Sequence, residues 1–350
     1  MRLKDLAAAL ELSPTTVSRA LGGYPEVSEA TRRRVQEAAE RLGYRPDGRA
    51  QGLATGRSRA IGHVIAAGDR HEMVNPVFAD FVAGAGIAYA AQGYEMLMKV
   101  VPDAAEERAY RDLALARKVD GFIVHAPKVD DRRIDLLSEL GLPFVVHGRA
   151  SAATRGYSWV DVNNVSALRR ATRHLIDLGH RRIGFLNGVE TQDFAVRRRR
   201  GYEAALAEAG LPIDPELMRA AEMTEGYGYR EASALLSRMP APTAIVTASL
   251  IVAMGARRAI EEAGAVLGRD VSVLTFDDEL SYLGAPGVPV FSGARSSVRE
   301  AGRLCAQMLL ALVDDPASGP RTHLLEAELT LGTSTGPPAS RSLDPVAHAG

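Results

Sequence analysis

Cysteine is almost absent from this chain of 350 residues, since Cys305 is the only one. A single thiol excludes an intramolecular disulfide, as in most proteins of a reducing compartment. The sequence also lacks an apolar signal core at its N-terminus and any apolar run of about 18 residues that could cross a membrane. We therefore expect a cytoplasmic protein without a membrane partner. At 350 residues, the chain is long enough for two or three domains with buried cores.

Motifs of the common enzyme chemistries are missing as well. There is no Gly-x-Ser-x-Gly elbow and no Gly-Lys-Ser/Thr phosphate loop. Gly84-Ala85-Gly86 falls inside a predicted helix rather than after a strand, so we interpret it as a packing feature. No histidine pair has metal-ligand spacing on one helix, and we interpret most of the histidines as strand-end or surface residues: His63, His71, His125, His147, His174 and His180. The sequence predicts no enzyme, no metal and no cofactor.

Charge is distributed unevenly along the chain. Residues 1–60 contain 11 Lys and Arg against 7 Asp and Glu, whereas the whole chain has a formal net charge of -1. A small basic head on an acidic body is typical of a nucleic-acid-binding module attached to another domain.

The first 45 residues contain three short helical patterns separated by turns. The second begins at Ser13-Pro14, a favourable N-cap followed by the one helical position that suits proline. Val17, Ala20 and Leu21 give this helix one buried stripe, and the opposite face is polar. Such a face suits the major groove of DNA, although an amphipathic helix alone is more often an ordinary structural element. The tight turn before it makes a helix-turn-helix.

A weak helix is expected after Pro46, which breaks the third helical pattern. Residues 47–54 could form one or two turns, but Gly48 and Gly52 each cost roughly 1 kcal/mol relative to alanine. A helix this short would need a partner to fold against.

The head resembles that of the lactose-repressor (LacI/GalR) family. The resemblance rests on Lys4-Asp5-Leu6-Ala7, Val17-Ser18-Arg19-Ala20-Leu21, Val27-Ser28, Thr31-Arg32, Gly43-Tyr44-Arg45-Pro46 and Ala50-Gln51-Gly52-Leu53. It implies a DNA-binding domain over 1–45 and a hinge helix over 46–58, with Leu53 as a minor-groove wedge. An ordinary linker leucine is the alternative for Leu53, and Gly22 stands where the family often has Asn. The DNA-binding residues implied are Leu3, Lys4, Ser13, Pro14, Thr15, Thr16, Ser18, Arg19, Ala50, Gln51 and Leu53.

From Arg59 onward, short apolar runs alternate with helical stretches, which predicts an α/β fold of parallel sheets covered by helices. The predicted strands are Ile61–Ala66, Tyr94–Val101, Gly121–His125, Phe144–His147, Trp159–Val162, Arg182–Asn187, Ala244–Thr247, Ser272–Phe276 and Leu324–Leu331. The predicted helices lie near 78–92, 105–117, 131–140, 165–178, 196–209, 227–237, 251–263 and 297–313. Eight units could close into a barrel, but the break at Ser151–Tyr157 and the late extra strand favour two open sheets.

The body resembles the two-lobed, periplasmic-binding-protein-like core of the same family, over residues 59–336. We expect a first lobe at about 59–160 and 292–321, a second at about 161–291 and 322–336, and a disordered tail over 337–350. In this architecture a ligand binds in the cleft at the carboxyl ends of the strands.

Six residues match the effector pocket of the family by position. Phe78 could stack on a ring, Arg198 would clamp sugar hydroxyls and Asp277 would accept their hydrogen bonds, with Arg149 and Asn163 as weaker candidates. Alternatives remain, since Arg198 could belong to a solvated charge run and Asp277 to a turn. Ser249 is the sixth, at a position where Ser249-Leu250 replaces the usual Asn-Asp of the family. Ser296-Ser297 and Gly332-Thr333-Ser334 also depart from the family pattern. The pocket could therefore be more apolar or suit a disaccharide.

These observations together favour a homodimeric transcriptional repressor that binds a pseudo-palindromic operator and is released by a sugar-like effector. A plain ligand-binding protein of the periplasmic type is the first alternative, but it predicts a secretion signal and no basic head. An α/β enzyme with an accessory DNA-binding domain is the second, and it predicts turnover of a bound sugar.

Overall fold

The computed structural model describes residues 2–22, 24–44, 57–66, 75–283 and 287–339. Its first part contains the helices α1 (Leu3–Ala9), α2 (Pro14–Leu21) and α3 (Glu29–Arg41). All three contribute to one small apolar core, which buries Leu6, Leu10, Val17, Ala20, Val35 and Ala38. The predicted helix-turn-helix is therefore confirmed.

Local hydrogen bonds explain where α2 begins and how α3 is attached. The Ser13 hydroxyl accepts the backbone N–H of Thr16 at 3.0 Å. Pro14 occupies the first helical position, where a missing N–H costs no hydrogen bond. Arg34 donates to the backbone carbonyl of Leu10 at 3.0 Å, which joins α3 to the end of α1.

Strands and helices alternate from residue 57 onward, as the sequence predicts. The strands are β1 (Ala60–Ala66), β2 (Glu95–Val101), β3 (Gly121–Val124), β4 (Phe144–His147), β5 (Ser158–Val162), β6 (Ile183–Asn187), β7 (Met218–Ala220), β8 (Ala244–Thr247), β9 (Ser272–Asp277), β10 (Ser292–Arg295), β11 (Thr322–Leu325) and β12 (Glu328–Thr330). The helices are α4 (Pro76–Ala91), α5 (Glu106–Leu115), α6 (Arg132–Leu140), α7 (Asn164–Asp177), α8 (Asp193–Glu208), α9 (Glu225–Leu236), α10 (Leu250–Glu262) and α11 (Val298–Asp314).

These strands form two open sheets, one in each lobe. The first has the order β11-β5-β4-β3-β1-β2 and the second the order β12-β10-β9-β8-β6-β7. Neighbouring strands are parallel in both sheets, except that β12 runs antiparallel to β10. The predicted two-sheet α/β architecture is confirmed, and the barrel that the sequence left open is wrong.

The chain crosses between the lobes after β5, after β10 and after β11. β10 pairs with β9 in the second sheet, and β11 pairs with β5 in the first. The expected assignment of 292–321 to the first lobe and 322–336 to the second is wrong at these two strands. The predicted strand Leu324–Leu331 is also wrong, since it is two short strands that belong to different sheets.

Two strands of the second sheet were missing from the sequence-based prediction. β7 has 3 residues, and β10 has 4, with the sequence Ser-Gly-Ala-Arg. Neither has the run of β-branched or aromatic residues that marks a strand in a sequence. Pairing with the neighbouring strands, rather than local propensity, therefore determines these two elements.

The first lobe is held together by α4 and α11, whose backbones are in contact. A Cβ added at Gly84 would lie 1.9 Å from the carbonyl oxygen of Arg299, and one at Gly302 would lie 2.2 Å from that of Phe81. Only glycine allows this approach. The interpretation of Gly84-Ala85-Gly86 as a packing feature is confirmed at Gly84.

Parts of two predictions fall outside the described residues. They are most of the hinge, 46–58, and most of the tail, 337–350. Within the residues that the structure describes, no helix is long and apolar enough to cross a membrane.

Candidate functional site

The exposed side of α2 is polar. Thr15, Ser18 and Arg19 are exposed, whereas Val17 and Ala20 on the other side are buried in the head core. A guanidinium nitrogen of Arg19 lies 3.5 Å from the Glu26 carboxylate, with both side chains about half exposed. An exposed pair of this kind contributes roughly 0–1 kcal/mol, so a stronger anionic partner can displace it.

The other predicted DNA-binding residues divide into exposed and structural ones. Lys4 and Pro14 are exposed, but Leu3 packs against the head core. The Ser13 and Thr16 hydroxyls lie 2.8 Å apart and hold the start of α2 together. Ala50, Gln51 and Leu53 lie outside the described residues.

Gly22 has a structural reason in this chain. A Cβ at this position would lie 2.9 Å from the ring of Tyr24 and 3.3 Å from the carbonyl oxygen of Ser18. The Tyr24 ring therefore occupies the space that a larger side chain at position 22 would need.

A cavity of about 180 Å³ lies between the lobes, where the carboxyl ends of strands from both sheets meet. The first lobe contributes Phe78, His125 and His147 to its wall. The second lobe contributes Asn164, Arg198 and Asp278. The cavity is therefore lined by side chains from both lobes, so its shape depends on how the lobes are arranged.

Arg198 lies at the centre of the second-lobe wall. Its guanidinium carbon is 3.7 Å from the ring centroid of Phe276 and 4.8 Å from that of Phe194, both of which also line the cavity. Its Nε donates to the side-chain oxygen of Asn164 at 2.8 Å, and one Nη donates to the carbonyl of Ala248. These contacts fix the plane of the guanidinium.

The charge of Arg198 survives its burial. Burial lowers the pKa of Arg198 to about 10, while the negative charges of Asp278 and Asp161 oppose that change. The side chain is 6% exposed and remains a cation at neutral pH. Its second Nη has no hydrogen-bond acceptor among the described residues, which leaves it for a ligand in the cavity.

At the end of β9, the carboxylate that lines the cavity belongs to Asp278 rather than to Asp277. Asp277 accepts the backbone N–H of Glu279 at 2.9 Å and pairs with Arg295 at 3.1 Å, outside the cavity lining. Burial raises the pKa of Asp278 to about 6; Arg198 opposes this rise and the neighbouring Asp277 adds to it. Successive side chains at the end of β9 point to opposite sides, so the sequence-based choice misses the cavity by one residue.

Three further predicted residues hold the walls rather than line the cavity. Asn163 caps α7 by accepting the N–H of Ser166 at 3.2 Å, while the adjacent Asn164 lines the cavity. Ser249 caps α10 in the same way. Arg149 pairs with Asp161 at 2.8 Å and lies over the ring of Trp159.

Arg197 was missed, because it reads as one member of the Arg197–Arg200 charge run. Its side chain is buried and hydrogen-bonds to Asp161 of the first lobe and Asp193 of the second. Asp193 also accepts the backbone N–H of Ser151 across the cleft at 2.7 Å. The Asp193–Arg197 spacing of four residues on one helix is the signal that could have identified the pair.

The prediction that most histidines lie at strand ends or on the surface is wrong for His63 and His180. His125 and His147 do lie at strand ends, but both line the cavity. His63 is in the middle of β1 and fully buried, and His180 is buried between Thr243 and Ser272. His71 lies outside the described residues. In the part of the chain that the structure describes, no three His, Cys, Asp or Glu side chains are grouped to hold a metal ion.

Two family models match this chain. Residues 2–47 match the bacterial regulatory proteins, lacI family, and residues 172–335 match a periplasmic binding protein-like domain. The first match covers the helix-turn-helix head and the second covers most of the second lobe and the returning C-terminal segment.

Individual proteins match over nearly the whole chain. The HTH-type transcriptional regulator AglR of Rhizobium meliloti (strain 1021) is 41% identical, over 98% of this chain and 96% of its own. A solved complex of the transcriptional regulator CelR with cellobiose is 27% identical, covering 95% of this chain and 99% of that one, with a TM-score of 0.71. The lac repressor dimer bound to operator and the anti-inducer ONPF is 25% identical, covering 96% and 99%, with a TM-score of 0.82.

Proposed function

Because this chain belongs to the lacI family of bacterial regulatory proteins, it is a DNA-binding transcriptional regulator, and we propose that it is a repressor released by a sugar. The polar exposed face of α2, on a helix whose other side is buried, is the observation that carries this proposal. The genes it controls encode proteins of carbohydrate utilisation. It acts in the cytoplasm, where its operator lies. The chain binds its sugar without converting it.

DNA binding uses two copies of the chain on a pseudo-palindromic operator. Thr15, Ser18 and Arg19 on α2 reach base edges and phosphates in the major groove, because hydroxyls and a guanidinium can bind both. Lys4 adds a phosphate contact. Leu53 of the hinge enters the minor groove at the centre of the site.

The effector is a neutral glycoside in the inter-lobe cavity. Phe78 and Phe194 face the apolar side of a sugar ring, while Arg198 and Asp278 bind hydroxyl groups. The solved structure of the relative CelR is a complex with cellobiose, which supports a disaccharide as the effector of this chain. The cavity of about 180 Å³ is smaller than the roughly 300–1,000 Å³ of typical ligand pockets. It fits about one sugar ring, so a disaccharide requires the lobes to move apart.

Effector binding and DNA binding are coupled through this movement. A sugar that changes the lobe arrangement also changes the separation of the two hinge segments, one from each copy of the chain. A coupling free energy of about 1–3 kcal/mol is sufficient for regulation of this kind. We propose induction, in which the sugar releases the operator, rather than corepression.

Selection of tight binders from a randomised duplex pool, with the full chain at near-physiological salt, tests the DNA-binding part. We expect a palindromic motif with a defined centre for the parent protein and loss of enrichment for Arg19→Ala. A folded protein that enriches no motif, alone or with a panel of sugars, would contradict the proposal. Recovery of chemically altered sugar after incubation would favour the enzyme alternative instead.

A further inference from the structure

Three side chains of the first lobe form a hydrogen-bond chain behind the cavity. His63 Nε2 lies 3.1 Å from the Tyr89 hydroxyl, and His63 Nδ1 lies 2.9 Å from His125 Nε2. Tyr89 is 1% exposed and His63 is 0% exposed, whereas His125 lines the cavity. The chain therefore leads from the core of the lobe to the cavity wall.

All three members of this chain are uncharged at neutral pH. Burial lowers the pKa of His63 to about 3. Burial also lowers the pKa of His125 well below its usual value, and the neighbouring His63, His147 and Arg133 act in the same direction. Burial raises the pKa of the Tyr89 hydroxyl well above its usual value. Each imidazole therefore has one N–H and one acceptor nitrogen.

The hydroxyl of Tyr89 determines the direction of the chain. Among the described residues, His63 Nε2 is the only acceptor within hydrogen-bond distance of it. Buried donors are nearly always paired, so the Tyr89 hydroxyl donates to His63 Nε2. The proton of His63 is then on Nδ1 and is donated to His125 Nε2. The reverse direction would leave a buried hydroxyl hydrogen without an acceptor.

We propose that Tyr89 and His63 fix His125 as the Nδ1–H tautomer, and that this N–H donates a hydrogen bond to an acceptor oxygen of the effector. His125 then selects ligands by what they present at this wall: a ring, glycosidic or hydroxyl oxygen is accepted, and a group that can only donate is rejected. Tyr89 and His63 are positioning residues. The sugar as ligand rests on the proposed function, but the tautomer does not.

Two observations support the donor role of His125. Its Nδ1 has no protein acceptor among the described residues, although the other ring nitrogen is paired. Its ring is also held edge-on by Phe78 and Phe81, with ring centroids 5.1 and 4.9 Å away. The Nδ1–H of His125 is therefore held in a fixed position at the cavity wall, where it is free to donate a hydrogen bond to a ligand.

Nitrogen-15 NMR of the histidine rings in the full-length, ligand-free protein tests the tautomer directly. We expect His63 and His125 both to be neutral and protonated on Nδ1. An Nε2–H tautomer or a cationic ring at His125 would overturn the inference.

Tyr89→Phe tests whether the hydroxyl sets the direction. We expect His125 to become a mixture of tautomers and the effector affinity to fall about 3- to 10-fold, the usual contribution of one hydrogen bond. Tyr110→Phe is the matched control, because Tyr110 is equally buried in the same lobe but its hydroxyl is not part of this hydrogen-bond chain. A His125 tautomer unchanged by Tyr89→Phe would contradict the positioning role.

Titration with cellobiose, and then with other neutral disaccharides, tests the contact with the ligand. We expect the sugar that binds by calorimetry to shift the Nδ1 signal of His125. A sugar that binds without moving this signal would remove His125 as its donor. If no sugar binds the parent protein, the proposed effector class is wrong, and with it the contact to a sugar oxygen; the spectrum of the free protein still decides the tautomer.

Discussion

Two neighbouring carboxylates at the end of β9 have different environments. Asp278 lines the cavity beside Arg198, whereas Asp277 is used in contacts with Arg295 and the backbone of Glu279. Because side chains alternate along a strand, a shift of one residue exchanges a position in the cavity wall for a structural one.

Asp278→Asn should weaken effector binding by about 10- to 100-fold, which is the range for a lost hydrogen bond to a charged group. Asp277→Asn is the matched control and should leave the effector affinity nearly unchanged. Calorimetry with the sugar that releases the operator measures both. A larger loss of affinity for Asp277→Asn would mean that the cavity is not the effector site.

The sequence locates part of this site and not the rest, for physical reasons. Phe78 and Arg198 lie in the cavity wall, as the family resemblance implies. Asn163 misses it by one position, because a helix N-cap faces the backbone and not the cavity. The buried state of His63 and Arg197 depends on neighbouring strands and on the opposite lobe, which no local pattern contains.

The elements were easier to predict than the site. Long strands and helices such as β1 and α7 have clear apolar patterns, which specify them locally. The short strands β7, β10, β11 and β12 lie at or next to sheet edges and are specified by pairing. The number of lobes was therefore predictable, but the points at which the chain crosses between them were not.

The contact between α4 and α11 predicts that alanine substitutions at two glycines of α4 have very different effects on stability. Gly84→Ala would bring a Cβ to 1.9 Å from the Arg299 carbonyl, so we expect a loss of stability of about 1–3 kcal/mol. Gly86→Ala is the control, because nothing lies within 4 Å of its Cβ position. It should be neutral or stabilise the helix by up to about 1 kcal/mol. Urea unfolding measures the free energy of unfolding of both variants. Equal changes for Gly84→Ala and Gly86→Ala would refute the close packing of α4 against α11.

The hinge predicts a separation of DNA binding from effector binding. Leu53→Ser removes the apolar wedge that the family resemblance implies, so operator affinity should fall at least about tenfold. The effector affinity should stay unchanged, because Leu53 precedes the two-lobed core. Fluorescence anisotropy with the selected operator and calorimetry with the sugar measure the two. Loss of both would indicate misfolding and remove the wedge role.

At the scale of the molecule, several hydrogen bonds join the two lobes besides the chain crossings. Asp193 accepts the backbone N–H of Ser151 at 2.7 Å. Asp80 of the first lobe accepts hydrogen bonds from the hydroxyl and backbone N–H of Ser281, at 2.6 and 2.8 Å. A ligand larger than the cavity must break or rearrange such contacts, which is how binding can change the lobe arrangement.

The buried histidines predict that stability falls as the pH decreases below about 6.5. The folded-state pKa values are about 3 for His63, about 4 for His147 and well lowered for His125, against 6.5 for exposed histidine. Between these values the unfolded chain binds protons that the folded chain does not. Each histidine then removes about 1.4 kcal/mol per pH unit.

Asp278 acts in the opposite direction, because its raised pKa of about 6 favours the folded state as it takes up a proton. One carboxyl against three histidines leaves the net trend downward. Melting temperatures between about pH 7.5 and pH 5 test this. A constant or rising melting temperature over that range would show that these histidines are not held neutral.

Release of the selected operator by a sugar tests whether effector binding and DNA binding are coupled in this chain. Anisotropy of the operator complex and calorimetry of the free protein are measured with the same sugar series on the full chain. We predict that a neutral sugar which binds the cavity releases the operator over the same concentration range, and that Asp278→Asn shifts both curves together. A sugar that binds the cavity while operator affinity stays unchanged would contradict it.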